Sequence, residues 1–158
     1  MNIPACVAAG VLIAATPALA QQPPPAPPAI KATPAPAPRI FGSDVGVVLN
    51  FIKADKTADF EAVMAKLKEA LEQSAEPVRQ QQAASWKIYK SPDAAAGASV
   101  LYVFLADPPV KGADYTVTTI LREAFSAEEV ADLYKQYSGA FAQGQNFVNL
   151  SLLLDLGQ

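Results

Sequence analysis

Residues 99–106 read SVLYVFLA, eight positions without a charge, rich in β-branched, aliphatic and aromatic side chains and stopped by Asp107-Pro108-Pro109. A short run of this kind, closed by prolines that cannot donate to a ladder, is read as a strand with both faces apolar. The same reading applies upstream to Val45–Ile52, VGVVLNFI, which the turn-like Lys53-Ala54-Asp55-Lys56 closes. Between these two, Trp86-Lys87-Ile88-Tyr89-Lys90 alternates as a further strand, and Ser91-Pro92-Asp93 begins a loop running to Gly97. Downstream, Phe147–Leu156 (FVNLSLLLDL) alternates again, with Val148, Leu150, Leu152, Leu154 and Leu156 on one face. It is expected to be the last strand.

Helical spacing fills the gaps. Phe60, Val63, Met64, Leu67, Ala70 and Leu71 recur at steps of three and four, the stripe of a helix over about 58–73 that Thr57 or Asp55 can cap. Ser74–Ser85 is polar and carries Pro77, which suits the first turn of a short helical segment ending near Ala83. Tyr115–Phe125 has strand-like threonines but helical spacing in Val117, Ile120, Leu121, Ala124 and Phe125, and is read as a short helix. Ser126-Ala127-Glu128-Glu129 is a capping box that opens a second main helix. Val130, Leu133, Tyr134, Tyr137 and Phe141 form its buried stripe, with Gly144 available as a left-handed stop.

The order is therefore β-α-β-β-α-β with extra turns, an α+β, ferredoxin-like unit with a four-stranded antiparallel sheet. Two main helices cover only one face of such a sheet. The other stays apolar in the first and third strands, and a patch of that kind generally meets a partner. Two sheets packed back to back about a two-fold axis would bury on the order of 800 Å² per chain, so a homodimer through the sheet face is expected.

From about Val45 to Leu156 the chain resembles the dimeric α+β barrel superfamily. The segments VGVVLNFIKADKTADFEAVMAKLKEAL, QQQAASWKIYK, PVKGADYTV and LREAFSAEEVADLYKQYSGAF look like a group of exported, uncharacterised bacterial proteins with that fold. The resemblance implies fold and assembly. That superfamily includes cofactor-independent monooxygenases, haem-degrading enzymes, isomerases, peroxidases and ligand sensors, and fold alone does not choose among them.

Composition excludes more than it selects. The 158 residues contain no histidine, which removes the commonest general base and the imidazole metal ligand, and histidine-dependent members of the superfamily offer no catalytic residue to transfer. A formal charge of −3 leaves no electrostatic footprint for nucleic acid. The single cysteine, Cys6, lies in an Ala/Val/Ile/Leu-rich leader that ends in Ala18-Leu19-Ala20. Cleavage is expected between Ala20 and Gln21, giving an exported protein, periplasmic or secreted, without thiol chemistry and without stable membrane insertion; a retained anchor is the alternative. Residues 21–42 form a Pro/Ala-rich tether, extended and solvated, ahead of a folded domain at 43–158.

Space between sheet and helices can form a pocket, and Asn50, Phe51, Trp86, Tyr89, Tyr102 and Arg122 are the candidates to line it. The aromatic ones pair a flat apolar surface with a hydrogen-bonding tip, which would hold a small apolar ligand, although such residues more often serve core or interface. Asn50 can orient a carbonyl or satisfy a backbone group. Helical carboxylates such as Glu61 and Glu129 are assigned to wet faces, and Arg79 with Gln80–Gln82 to a surface loop. No phosphate loop or metal-ligand spacing occurs, so no cofactor is expected. The leading functional expectation is a small binding or interaction module. The rival is a cofactor-free monooxygenase-like or isomerase-like enzyme using Trp86, Tyr89 and Arg122 on an apolar substrate.

Overall fold

The computed structural model describes residues 37–157; the expected signal peptide at 1–20, and the tether as far as residue 36, lie outside the described residues. Eight main elements follow in chain order: β1 (Val45–Lys53), α1 (Thr57–Gln73), α2 (Pro77–Ser85), β2 (Trp86–Ala95), β3 (Ser99–Ala106), α3 (Val117–Ala124), α4 (Ala127–Ala140) and β4 (Asn146–Leu150). The strands form one sheet in the order β2-β3-β1-β4, every neighbouring pair antiparallel. Two helical excursions that return the chain to the same sheet, with β1 and β3 at its centre, define a ferredoxin-like α+β fold.

Strand parity decides where the core sits. Along β1, Val48, Asn50 and Ile52 are buried while Val45, Val47, Leu49 and Phe51 are half-exposed, and β3 repeats this with Tyr102, Phe104 and Ala106 against Leu101, Val103 and Leu105. The register opposes Val48 to Phe104 and Asn50 to Tyr102, so the buried sets share one face. Onto that face α1 lowers Phe60, Val63, Met64, Leu67, Ala70 and Leu71, the stripe read from its spacing. Phe60 is wholly buried and lies within 4.8 to 6.2 Å, centroid to centroid, of the rings of Tyr102, Phe104, Tyr137 and Phe141. Ile120 and Leu121 of α3 and Val130, Leu133 and Tyr137 of α4 complete the same core.

Several boundaries depart from expectation for physical reasons. β4 ends at Leu150 and does not run to Leu156, because its only neighbour among the described strands is β1, whose first residue Val45 is the partner of Leu150. Leu152, Leu153, Leu154 and Leu156 are consequently 73, 98, 69 and 90% exposed. β2 continues through Ala95 with an irregularity between Lys90 and Ala94, and the chain reverses at Gly97, whose φ of +70° suits glycine. Gly144 does not stop α4. The helix ends at Ala140, Phe141 turns extended and bridges Ile52, and the Ala142 N–H donates to the Phe51 carbonyl. Ser126 does cap α4, accepting from the Glu129 N–H, whereas neither Thr57 nor Asp55 caps α1 through its side chain.

The fold also reaches into the segment assigned to the tether. Phe41 is buried, stacked on Phe147 and edge-on to Tyr115, and it lies so close to β1 that a Cβ at Gly46 would run into its ring. Arg39 donates its N–H to the Asp114 carboxylate and accepts from the Tyr115 N–H.

Because Phe60 touches sheet and helices alike, Phe60→Ala is expected to cost about 3–5 kcal/mol, the range for deleting a buried aromatic ring. Urea unfolding of the variant against the parent domain checks it, and a loss below 1 kcal/mol would contradict the packing described.

Candidate functional site

The half of the sheet that the helices leave uncovered is its most distinctive surface. Val45, Val47, Leu49 and Phe51 of β1 and Leu101, Val103 and Leu105 of β3 form two central rows. Tyr89, opposite Val103, and Val148, opposite Val47, extend the rows sideways. Lys87 on β2 and Asn146 on β4 lie at its flanks, opposite Leu105 and Leu49. An antiparallel sheet with a wetted face ordinarily alternates apolar with polar residues, whereas here both faces of the central strands are apolar.

The six candidate residues do not meet in one pocket. Phe51 and Tyr89 belong to the open face, while Asn50, Trp86 and Tyr102 have the opposite parity and lie on the helix side. Arg122 is on the exposed side of α3. Adjacent positions on a strand point to opposite faces, so Asn50 and Phe51 could not have lined the same side of the sheet.

The helix-side polar groups are largely satisfied within the chain. Asn50, fully buried, donates through Nδ2 to the carbonyls of Val48 (3.2 Å) and Tyr102 (3.3 Å) and accepts from Gln145, whose Nε2 also approaches the Tyr137 hydroxyl at 3.0 Å. Burial pushes the Tyr137 phenol up to about 12, keeping it neutral. Tyr102 donates its hydroxyl to Glu61, which also receives Lys90 Nζ at 2.8 Å. The hydrogen bond from Lys90, then that from Tyr102, holds the Glu61 carboxyl below its ordinary value. Asn50 therefore serves backbone groups and a neighbouring amide, and Tyr102 serves a carboxylate on α1.

Arg79 is a buried structural hub and not the surface residue its polar surroundings imply. Its guanidinium grips Glu123 through two bonds of 2.8 Å, and Nη1 reaches the Asp114 carbonyl at 2.8 Å and the Gln82 side chain. Its partner Glu123 lies 44 positions away, outside the reach of any local pattern. The Asp114 carboxylate, on the same loop, accepts the N–H groups of Arg39 and Thr116. Burial works to raise its pKa, but hydrogen bonds led by those from the Thr116 side chain and the Arg39 N–H outweigh it and lower the value.

Of the helix-side surfaces, an apolar groove of about 400 Å³ between α1 and β2 is lined by Met64, Leu67, Leu71, Ala83, Trp86 and Ile88, with Lys68 and Glu72 among its polar residues. Trp86 stands edge-on to Phe104 and Tyr115, and its indole Nε1 is buried without a hydrogen-bond partner. Among the described residues, no three His, Cys, Asp or Glu side chains gather as a metal site requires, and no helix is long and apolar enough to cross a membrane. No family model matches the chain, nor does any curated protein or solved structure. The fold and its surfaces thus carry the functional argument alone.

The lowered pKa of Asp114 gives a pH test. A carboxyl whose folded value lies below its unfolded one adds stability that is complete above the unfolded pKa and is lost as pH falls through the folded pKa. Asp114→Asn keeps an oxygen acceptor but not the charge, and is expected to cost about 1 kcal/mol at pH 7. That gap to the parent should close below the ordinary aspartate range. Urea unfolding at pH 7 and pH 3 measures it; a gap of equal size at both would refute the charged role.

Proposed function

We propose that this chain is an exported, homodimeric protein of the dimeric α+β barrel type whose domain acts as a small binding or interaction module outside the cytoplasm. The observation that carries the reading is the uncovered sheet face, apolar along both central strands and free of any described helix. Contiguous apolar surface of this kind marks an interaction site. A second copy presenting the same face is self-complementary, as a two-fold interface requires. The small-residue motif at Ala18-Leu19-Ala20 supports export.

A module is favoured over a cofactor-free enzyme by the fate of the polar candidates. Asn50 and Tyr102 are consumed by internal hydrogen bonds, and Arg122 is exposed on α3 while Tyr89 belongs to the open face of the sheet. Catalytic groups must converge on one reacting centre. Binding of a small apolar ligand is the second reading, favoured by the unpartnered Trp86 N–H beside the α1–β2 groove.

Light scattering of the exported protein should give twice the mass of one chain. Val103→Lys places a charge at the middle of the open face and is expected to give a folded monomer, with circular dichroism unchanged. A parent protein that stays monomeric at micromolar concentration, or a Val103→Lys protein that remains fully dimeric, would overturn the sheet-face assembly.

A further inference from the structure

Residues 151–156, SLLLDL, are the most apolar exposed segment among the described residues, and nothing else among those residues accounts for them. Leu153 and Leu156 are 98 and 90% exposed, and Leu152 and Leu154 are 73 and 69% exposed. Among the described residues the segment's backbone has one anchor to the rest of the domain, the Leu152 N–H donating to the Asp44 carboxylate at 3.1 Å. A leucine-rich stretch held in water has neither the polarity of a solvated tail nor the ladder of a strand.

At the other edge of the sheet is a surface of complementary kind. Among the described strands β2 is paired on one side only, by β3, so its second side offers N–H and carbonyl groups that no described strand pairs. Beside it lies the apolar groove of about 400 Å³ that holds Trp86 and Ile88, the latter 39% exposed. Lys87, on the same strand, is exposed and has no ion-pair partner among the described residues, while the leucine segment carries Asp155.

Within one domain β4 and β2 are the two outermost strands, separated by β1 and β3. Two copies face to face about an axis parallel to the strands bring the β4 edge of each over the β2 edge of the other. Six extended residues reach roughly 20 Å, against about 10 Å between packed sheets. Resting on the homodimer proposed above, we infer that residues 151–156 form an arm that crosses to the second copy through Ser151–Leu153 and pairs its last residues with the β2 edge there, seating Leu154 and Leu156 against the α1–β2 groove. Backbone pairing supplies the attachment and alternate side chains the selectivity, as in other cases of strand addition. Asp155 takes the other side, where it comes within range of Lys87.

Disulfide trapping tests this with Cys6 replaced by Ser, so that introduced thiols are alone. A mixture of Leu154→Cys and Ile88→Cys proteins should give covalently linked pairs of chains under mild oxidation. Ending the chain after Leu150 should raise the dimer dissociation constant at least tenfold by sedimentation equilibrium. An intact dimer with no cross-link and an unchanged dissociation constant would overturn the arm and leave the sheet-face dimer standing, whereas absence of any dimer in the parent protein would bring down both. A Leu154→Cys/Ile88→Cys double variant that closes within a single chain would show the arm folding home, and a small apolar molecule retained in the groove of the native dimer, seen by native mass spectrometry, would give the groove another occupant; either result contradicts the proposal.

Discussion

Everything in this domain follows from how β1 and β3 divide their side chains between two faces. Each hands alternate residues to the helices, and the antiparallel register places Val48 beside Phe104 and Asn50 beside Tyr102, so the inward sets make one continuous bed. Phe60 presses into it and draws together Tyr102 of β3, Tyr137 of α4 and Phe141 just beyond that helix. The complementary residues, equally apolar, are left by the same alternation on the far side. A one-residue slip in register would exchange the two sets wholesale, which is why the Asn50 side chain, bonded to the Val48 and Tyr102 carbonyls, matters to more than its own burial.

The second organising device is electrostatic. Arg79 on α2 and Asp114 ahead of α3 tie together four pieces of chain by polar contacts that add to the hydrophobic core: α2, α3, the loop between β3 and α3, and the residues before β1. The pair Arg79–Glu123 is bidentate and its arginine is buried, the circumstance in which an ion pair is geometrically specific.

The helices and the succession of elements along the chain were legible in the sequence because each depends on spacing within a few residues. The α1 stripe from Phe60 to Leu71 and the Ser126 cap are local facts, and local patterns report them. What escaped detection depends on partners distant along the chain. The extent of β4 is set by where β1 begins, the burial of Arg79 by Glu123, the end of α4 by a bridge to Ile52, and the membership of Arg39 and Phe41 in the domain by Asp114 and Phe147. The open face was foreseeable from two strands apolar on both sides. The six proposed pocket residues failed to converge because parity, which the strand reading already contained, separates Asn50 from Phe51 and Trp86 from Tyr89. The spacing of α4 marked Tyr137 as buried but not its bond to Gln145, and Gln145 gave no signal of its own, since a polar partner for a buried amide is visible only once the fold has brought it near.

The clasp at Arg39 has a mechanical side. Its amide is held by the Asp114 carboxylate and its carbonyl by the Tyr115 amide, two residues before Phe41 wedges against Gly46 and Phe147. Tension applied from the N-terminal direction is therefore met first by that pair of bonds and then by an aromatic plug, both behind the sheet. The load would be spent on the loop leading into α3 before it reached the first rung of β1, and the opposite surface could stay engaged while the chain behind it was being pulled.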